Sequence, residues 1–445
     1  MRLSGRVLAA VVALLAATVL VVVVVRQGSN GCSYDTRVKA VSPLQTPSRF
    51  LAENDPRMNA LADAVDAMGP PFGEIRAGLG YGVLNYLHLY DAGDGIVAFT
   101  KNYAPVTYLD AKTLKARWSI KPGSKNSTFD ITPNRYLIFD LASRSTPVSA
   151  YGLRTGTSIW CTTLPLPVKG DSPFRTTALP DGDVLAAISH GGKVQLSRLS
   201  GKDGSLRWRS DLPGADRGDF LGQLDASTVL VGGREDYLMG GGEGQPARPV
   251  TALTAVSLAT GKPRWTYDPG PKAIAHVVGI AAGGPILLVG RGAQVSLVGL
   301  SPTGHQLWRR TPPTTSFPDA TLRGDLVLTR SSEGAIDPER PDLGRTTVLH
   351  AYDAGTGKPR WSQPLQPAHA ILPAGYTLDG VSSLDADHLL VPTDRGVSLL
   401  DLRTGSSNGY RATEPYQLLV TDQLIAIMTQ SGSVVTARQP VGGIG

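Results

Sequence analysis

The stretch Leu258-Ala-Thr-Gly261-Lys-Pro-Arg-Trp265 decides the fold, because it returns almost unchanged as Asp353-Ala-Gly-Thr-Gly357-Lys-Pro-Arg-Trp361. Each copy ends an apolar run and makes a Thr-Gly turn, where glycine takes positive φ without steric penalty. Each then enters a second run that carries an indole. Glycine stands four residues before tryptophan at Gly156/Trp160, Gly204/Trp208, Gly261/Trp265, Gly304/Trp308 and Gly357/Trp361. Leu114 takes the glycine's place before Trp118, and Thr404-Gly405 is followed by Tyr410 where an indole is expected. All six tryptophans are thereby used, at spacings of 42, 48, 57, 43 and 53 residues. Such a period is the length of a propeller blade.

A second signal, a polar turn followed by a β-rich run, recurs at 95–100, 136–139, 184–188, 228–231, 286–289, 326–329, 389–391 and 424–428. There are eight such runs against seven glycine-type turns, so the chain ends partway through an eighth unit, after Val434–Ala437. A strand from before the first unit can complete it, which removes the exposed edges at ring closure. The expected fold is all-β, an eight-bladed β-propeller over 81–438, with seven blades as the alternative if the last unit is a cap.

Composition agrees. The 445 residues include 51 glycines and 33 prolines, 41% hydrophobic and 18% charged residues. That is too apolar for disorder and too rich in breakers for a helical bundle. The net charge of +6 includes Arg2, Arg6 and Arg26, which flank one N-terminal apolar run. The remaining excess is too small to mark a nucleic-acid binder.

That run, Val7 to Val25, is Val, Leu and Ala interrupted only by Thr18. It is long enough to cross the hydrocarbon core, it exceeds a typical cleaved signal core, and no small-x-small cleavage site follows it before Arg26. We expect residues 1–26 to hold an uncleaved transmembrane helix, with the propeller on the extracytoplasmic side. Ser29 and Asn30 do not suit lipidation at Cys32. Residues 27–80 read as a stalk with one short helix, whose apolar face is Met58, Leu61, Ala62, Val65 and Met68. Residues 439–445 read as a tail.

The repeat resembles that of the pyrroloquinoline-quinone-like β-propeller family, whose consensus includes Asp-x-x-Thr-Gly-x-x-x-Trp. That superfamily holds quinoprotein alcohol dehydrogenases and a non-catalytic eight-bladed lipoprotein of the outer-membrane β-barrel assembly machinery. It also holds many membrane-anchored envelope proteins. The repeat implies the fold and says little about chemistry.

The enzymes of that family carry adjacent cysteines bonded over the cofactor, a calcium held by acidic and amide side chains, and a catalytic aspartate. This chain has two cysteines, Cys32 and Cys161, so a vicinal pair is impossible. We expect no quinone or other cofactor. Cys161 follows Trp160 on an outermost strand, and a Cys32–Cys161 disulfide would tie the stalk to the rim in an oxidising compartment; two inert thiols are the other reading. The seven histidines show no ligand spacing, Gly240–Gly244 lacks the Lys-Ser/Thr of a phosphate loop, and no serine sits in G-x-S-x-G.

Two insertions, 232–248 in blade four and 331–345 in blade six, should emerge from one rim, opposite the Thr-Gly turns. Tyr237, Leu238 and Met239 of the first, with Glu339 and Arg340 of the second, are candidates for a partner-binding face. The expected function is that of a membrane-anchored, non-catalytic scaffold binding an envelope protein. The alternatives are a quinone-dependent dehydrogenase and a sensor of a small molecule or glycan in the central funnel.

Overall fold

The computed structural model describes residues 75–438, apart from 81–86, 101–105, 111–115, 121–126, 141–145, 165–173, 213–219, 233–252, 314–319, 334–345, 367–377, 412–414 and several connections of two or three residues. The expected membrane helix, the short stalk helix, the tail, Cys32, Leu114 and all five candidate loop residues (Tyr237, Leu238, Met239, Glu339 and Arg340) lie outside the described residues. Among the described residues, no helix is long and apolar enough to cross a membrane.

The described strands form eight four-stranded antiparallel sheets. Seven are simple meanders in chain order, spanning 87–120, 127–164, 174–212, 220–267, 274–310, 320–364 and 382–411. We call these blades one to seven and name their strands inner, second, third and outer. The last sheet takes three strands from the C-terminal end, Pro415–Val420, Leu424–Thr429 and Ser433–Arg438. Its outer strand is Ile75–Gly80, which pairs antiparallel with Ser433–Arg438 from Gly80↔Ser433 to Ile75↔Ala437. The eight sheets agree with the eight β-rich runs, and the ring closes by the N-terminal strand. One boundary moves: the propeller begins at Ile75, inside the segment read as stalk, because the eighth sheet lacks an outer strand of its own.

Inner strands of neighbouring blades lie side by side from blade two through blade six, and the eighth blade's inner strand touches those of blades seven and one. Apolar clusters fill the seams. Val97, Tyr108 and Trp118 of blade one pack with Tyr151 and Leu153 of blade two. Leu328, Leu349 and Ala351 of blade six pack with Leu389, Val391 and Leu400 of blade seven. The core is therefore a ring of sandwiches, in which each sheet buries both faces. This explains why second strands such as Thr228–Gly232 (TVLVG), buried at every position, read as nearly continuous apolar runs.

The repeat motif works across these seams. All six repeat glycines have positive φ, between 64° at Gly156 and 85° at Gly304. In five of them the glycine N–H closes a tight turn onto the carbonyl four residues earlier, as Gly261 does to Ser257 at 2.8 Å. A Cβ on Gly261 would stand 2.7 Å from Cε3 of Trp208, which belongs to the preceding blade and not to the glycine's own motif. The same offset holds for Gly156 on Trp118, Gly204 on Trp160, Gly304 on Trp265, Gly357 on Trp308 and Gly405 on Trp361. Each indole lies flat against the next blade's glycine turn. In five of the six the N–H donates to a carbonyl of that turn: Trp118 to Leu153 (2.8 Å), Trp160 to Gly201 (3.0 Å), Trp208 to Leu258 (2.9 Å), Trp265 to Pro302 (2.9 Å) and Trp361 to Leu402 (2.8 Å). The large ring thus buries apolar area while its one donor stays satisfied.

Candidate partner-binding face

Blade topology sorts the connections onto two rims. Inner-to-second and third-to-outer turns share one rim; second-to-third loops and the links between blades share the other. The first rim is built of short turns stiffened by hydrogen bonds. In blade six, Asp353 Oδ1 accepts from the Thr356 N–H and hydroxyl (2.9 and 2.8 Å), while Gly357 N–H closes on the Asp353 carbonyl. In blade seven, Asp401 Oδ1 accepts from the N–H groups of Arg403 and Thr404. These bonds, led in Asp353 by the Arg360 guanidinium, hold its carboxyl below the ordinary carboxylate value. On Asp203, the Ser205 N–H and hydroxyl hold it to about 2.

Among the described strands, consecutive strand ends separated by nine residues or more all face the opposite rim: Leu164 and Phe174, Gly232 and Leu253, Arg310 and Ala320, Glu333 and Thr346, and Pro364 and Ser382. Three of the second-to-third loops there are minimal, at 191–192, 292–293 and 394–395, so blades four and six stand out on the same rim. The second insertion is shorter than its sequence suggests. Ser331–Glu333 continue the second strand of blade six, and Glu333 pairs with Thr346, because eight-residue strands extend the hairpin outward. Binding loops held on a rigid scaffold are a common way to build a recognition surface.

Arginines lock the platform beneath. Arg198 of blade three donates from Nε to Asp183 (2.8 Å) and from Nη1 across the seam to the Leu258 carbonyl of blade four (2.8 Å), the same oxygen that accepts from Trp208. It also pairs with Asp181. Asp183 is buried, with a side chain only 4% exposed, and it also meets Arg207 Nε at 2.7 Å. Burial alone would raise its pKa; the Gly201 N–H, Arg198 and Arg207 outweigh this and hold the carboxyl below its ordinary value. Arg135 reaches the Gly182 carbonyl of blade three, Arg310 Nε the Gly357 carbonyl of blade six (3.2 Å), and Arg323 Nη2 the Val381 carbonyl beyond blade six (2.8 Å). Several of the basic residues are thus fixed to carbonyls between blades. Sequence reasoning missed this role because the partners are 47 to 60 residues away.

One buried histidine sits in blade six. His350 Nε2 lies 2.8 Å from Ser331 Oγ, and Nδ1 lies 2.7 Å from Ser362 Oγ. The three residues occupy second, third and outer strands of one sheet, so the imidazole clips the blade together below the 334–345 loop. Among the described residues, no group of three or more His, Cys, Asp or Glu side chains could hold a metal ion. The adjacent cysteines of the quinoprotein enzymes are missing from the chain, so the residues present do not match that cofactor cradle. Cys161, on the outer strand Ser158–Leu164 of blade two, is disulfide-bonded, and Ser149 Oγ donates to its sulfur at 3.3 Å.

The model of the family described as "Outer membrane protein assembly factor BamB" matches residues 86–270 and 249–417. No match to a curated protein was found. Solved structures share the architecture at low identity. A quinohemoprotein alcohol dehydrogenase from Pseudomonas putida HK5 is 13% identical with a TM-score of 0.51, covering 81% of this chain and 75% of that one. The computationally designed Ika8 protein is 13% identical with a TM-score of 0.52, covering 81% and 97%. BamB from Moraxella catarrhalis is 15% identical with a TM-score of 0.45, covering 82% and 99%. An enzyme and a designed protein both stand among these neighbours, so the likeness establishes the propeller alone.

Proposed function

Because the chain belongs to the outer membrane protein assembly factor BamB family, we propose that it is a non-catalytic propeller that binds a protein partner in the cell envelope. The observation that carries this reading is the division of the rims. One is closed by tight turns docked on tryptophans, and the other gathers every long connection. A surface of that kind suits recognition of an extended partner, and the rigid ring beneath it suits a scaffold.

In this reading Val7–Val25 anchors the chain in the membrane and the propeller lies on the extracytoplasmic side. The disulfide state of Cys161 supports an oxidising compartment. Protease added to spheroplasts should then degrade the propeller; complete protection would reverse the orientation. Tyr237, Leu238 and Met239 supply apolar contacts, and Glu339 and Arg340 supply charge, from the two insertions.

The test is to replace 233–252 and 334–345 by short turns and measure partner recovery in a membrane pull-down. Loss of recovery from a variant with unchanged melting behaviour is expected, and full recovery would remove the loops from the function. The quinone-dependent alternative predicts quinone absorbance after reconstitution with calcium. The sensor alternative predicts a ligand-dependent rise in melting temperature.

A further inference from the structure

In the six blades that carry tryptophan, the residue after the indole faces one fixed position of the third strand. Five blades hold a hydroxyl or a valine there: Thr107, Ser149, Ser197, Thr254 and Val298. Blade six holds His350 instead, opposite Ser362. The ladder explains why these two side chains meet. The Leu365 N–H donates to the Thr347 carbonyl at 2.9 Å, so by alternation Gln363 and Trp361 turn their amides toward the third strand. Ser362 and His350 then form a non-hydrogen-bonded pair, the kind that brings side chains closest. The Ser362 N–H consequently points off the edge of the sheet. Ser362 is exposed, whereas His350 and Ser331 are each only 6% exposed. A buried imidazole thus touches a buried hydroxyl with one nitrogen and a surface hydroxyl with the other.

We propose that Ser362 is an activated nucleophile, a modification site that accepts an acyl group from an activated carboxylic ester. His350 Nδ1, 2.7 Å from Ser362 Oγ, is its base, and Ser331 Oγ, 2.8 Å from Nε2, holds the ring in place. With the ring hydrogen on Nε2, that nitrogen donates to Ser331 and Nδ1 accepts from the Ser362 hydroxyl. A nucleophile bonded to a base, itself oriented by a third group, is the arrangement that serine acyl transfer uses. Ser362 Oγ forms a bond to the carbonyl carbon while its proton passes to Nδ1. The bond from that carbon to the ester's alkoxy oxygen then breaks. The leaving group takes the proton and departs as the alcohol; the imidazole ends neutral, and nothing is oxidised or reduced. The Ser362 N–H, aimed off the edge, is a donor for the oxyanion formed on the way. The three residues are 12 and 19 positions apart and match no sequence motif. The product is one ester per chain, a covalent modification and not a turnover cycle. The site stands on the outer face of blade six, and neither it nor the scaffold reading depends on the other.

The test treats the full-length chain with p-nitrophenyl acetate near neutral pH and follows acetylated peptides by mass spectrometry. Two serines without an imidazole are internal controls: Ser119, whose hydroxyl meets Thr107 at 3.2 Å at the same position of blade one, and the exposed Ser406. Ser362 should be acetylated at least about a hundredfold faster than either, the lower range of what a general base contributes. Ser362→Ala should remove the label and leave the melting temperature unchanged. His350→Gln should slow labelling of Ser362 about a hundredfold, with circular dichroism checking that the variant folds. The native chain gives a second measurement that needs no variant. Its labelling rate should rise with pH and level off once the imidazole is neutral. A rate that keeps climbing in proportion to hydroxide, or equal labelling of Ser362 and Ser406, would overturn the assignment. Ser331 is a positioning residue: Ser331→Ala should move the pH at which the rate levels, and Ser331→Thr should restore it. An unchanged profile in Ser331→Ala would remove Ser331 from the site.

Discussion

Substituting Gly261 by alanine separates two accounts of the repeat. In the sequence Gly261 belongs with Trp265, four residues on; in the structure it supports Trp208 of the preceding blade. The alanine faces two costs. Its backbone must hold φ near 71°, which disfavours an L-residue by about 1–2 kcal/mol. Its methyl would stand 2.7 Å from Trp208 Cε3, against an ordinary carbon–carbon approach of about 3.5–4.0 Å, and such overpacking costs about 1–3 kcal/mol. The expected total is about 2–5 kcal/mol. Gly270→Ala is the control, since Gly270 has φ of 95° with nothing within 4 Å of the added carbon; it should show the backbone cost alone. Trp208→Leu removes the atoms that the methyl meets, so Gly261→Ala in that background should lose the contact cost. The coupling energy is then about 1–3 kcal/mol between Gly261 and Trp208, and within about 0.5 kcal/mol of zero between Gly261 and Trp265. Urea unfolding followed by circular dichroism, compared at constant m-value, measures it. Additivity with Trp208, or coupling with Trp265 instead, would refute the inter-blade seam.

Asp183→Asn should destabilise the protein by about 1–3 kcal/mol, because it removes the buried carboxylate that Arg198 and Arg207 share and leaves Arg198 only the exposed Asp181 as a charge partner; a loss below about 0.5 kcal/mol in urea melts would contradict that role. Replacing Trp208 by phenylalanine, which keeps an aromatic ring but removes the N–H, should leave the Leu258 carbonyl with Arg198 alone and cost about 1–2 kcal/mol; no change in the urea midpoint would refute it. Asp183, Asp203 and Asp353 all have carboxyl pKa values lowered by folding. Their contribution is complete above the unfolded value near 3.9 and is lost as pH falls through the lower folded values. Melting temperature should therefore be flat from pH 7 to about 5 and drop steeply toward pH 2, and Asp353→Asn should flatten part of that drop. A melting temperature that rises on acidification would reverse the sign argued here.

The spacing of glycine and tryptophan determined the blade, because a hairpin turn and the strand it feeds are local, and a local pattern is readable by period alone. The count of eight runs and the missing strand at the C-terminal end were legible for the same reason. Only the tertiary structure decided which glycine serves which indole, since the two residues of a working pair are about forty to fifty positions apart and meet because the sheets stack. That pairing also explains the two irregular copies. Leu114 can stand where glycine is expected because the blade preceding blade one is the eighth, whose outer strand Ile75–Gly80 holds no tryptophan. Tyr410 can stand for tryptophan because the eighth blade takes its outer strand from the N-terminal side and has no third-to-outer turn to receive an indole. The arginine-to-carbonyl bridges were likewise beyond any local pattern, because a side chain's partner is set by the curvature of the ring and not by its neighbours in the chain.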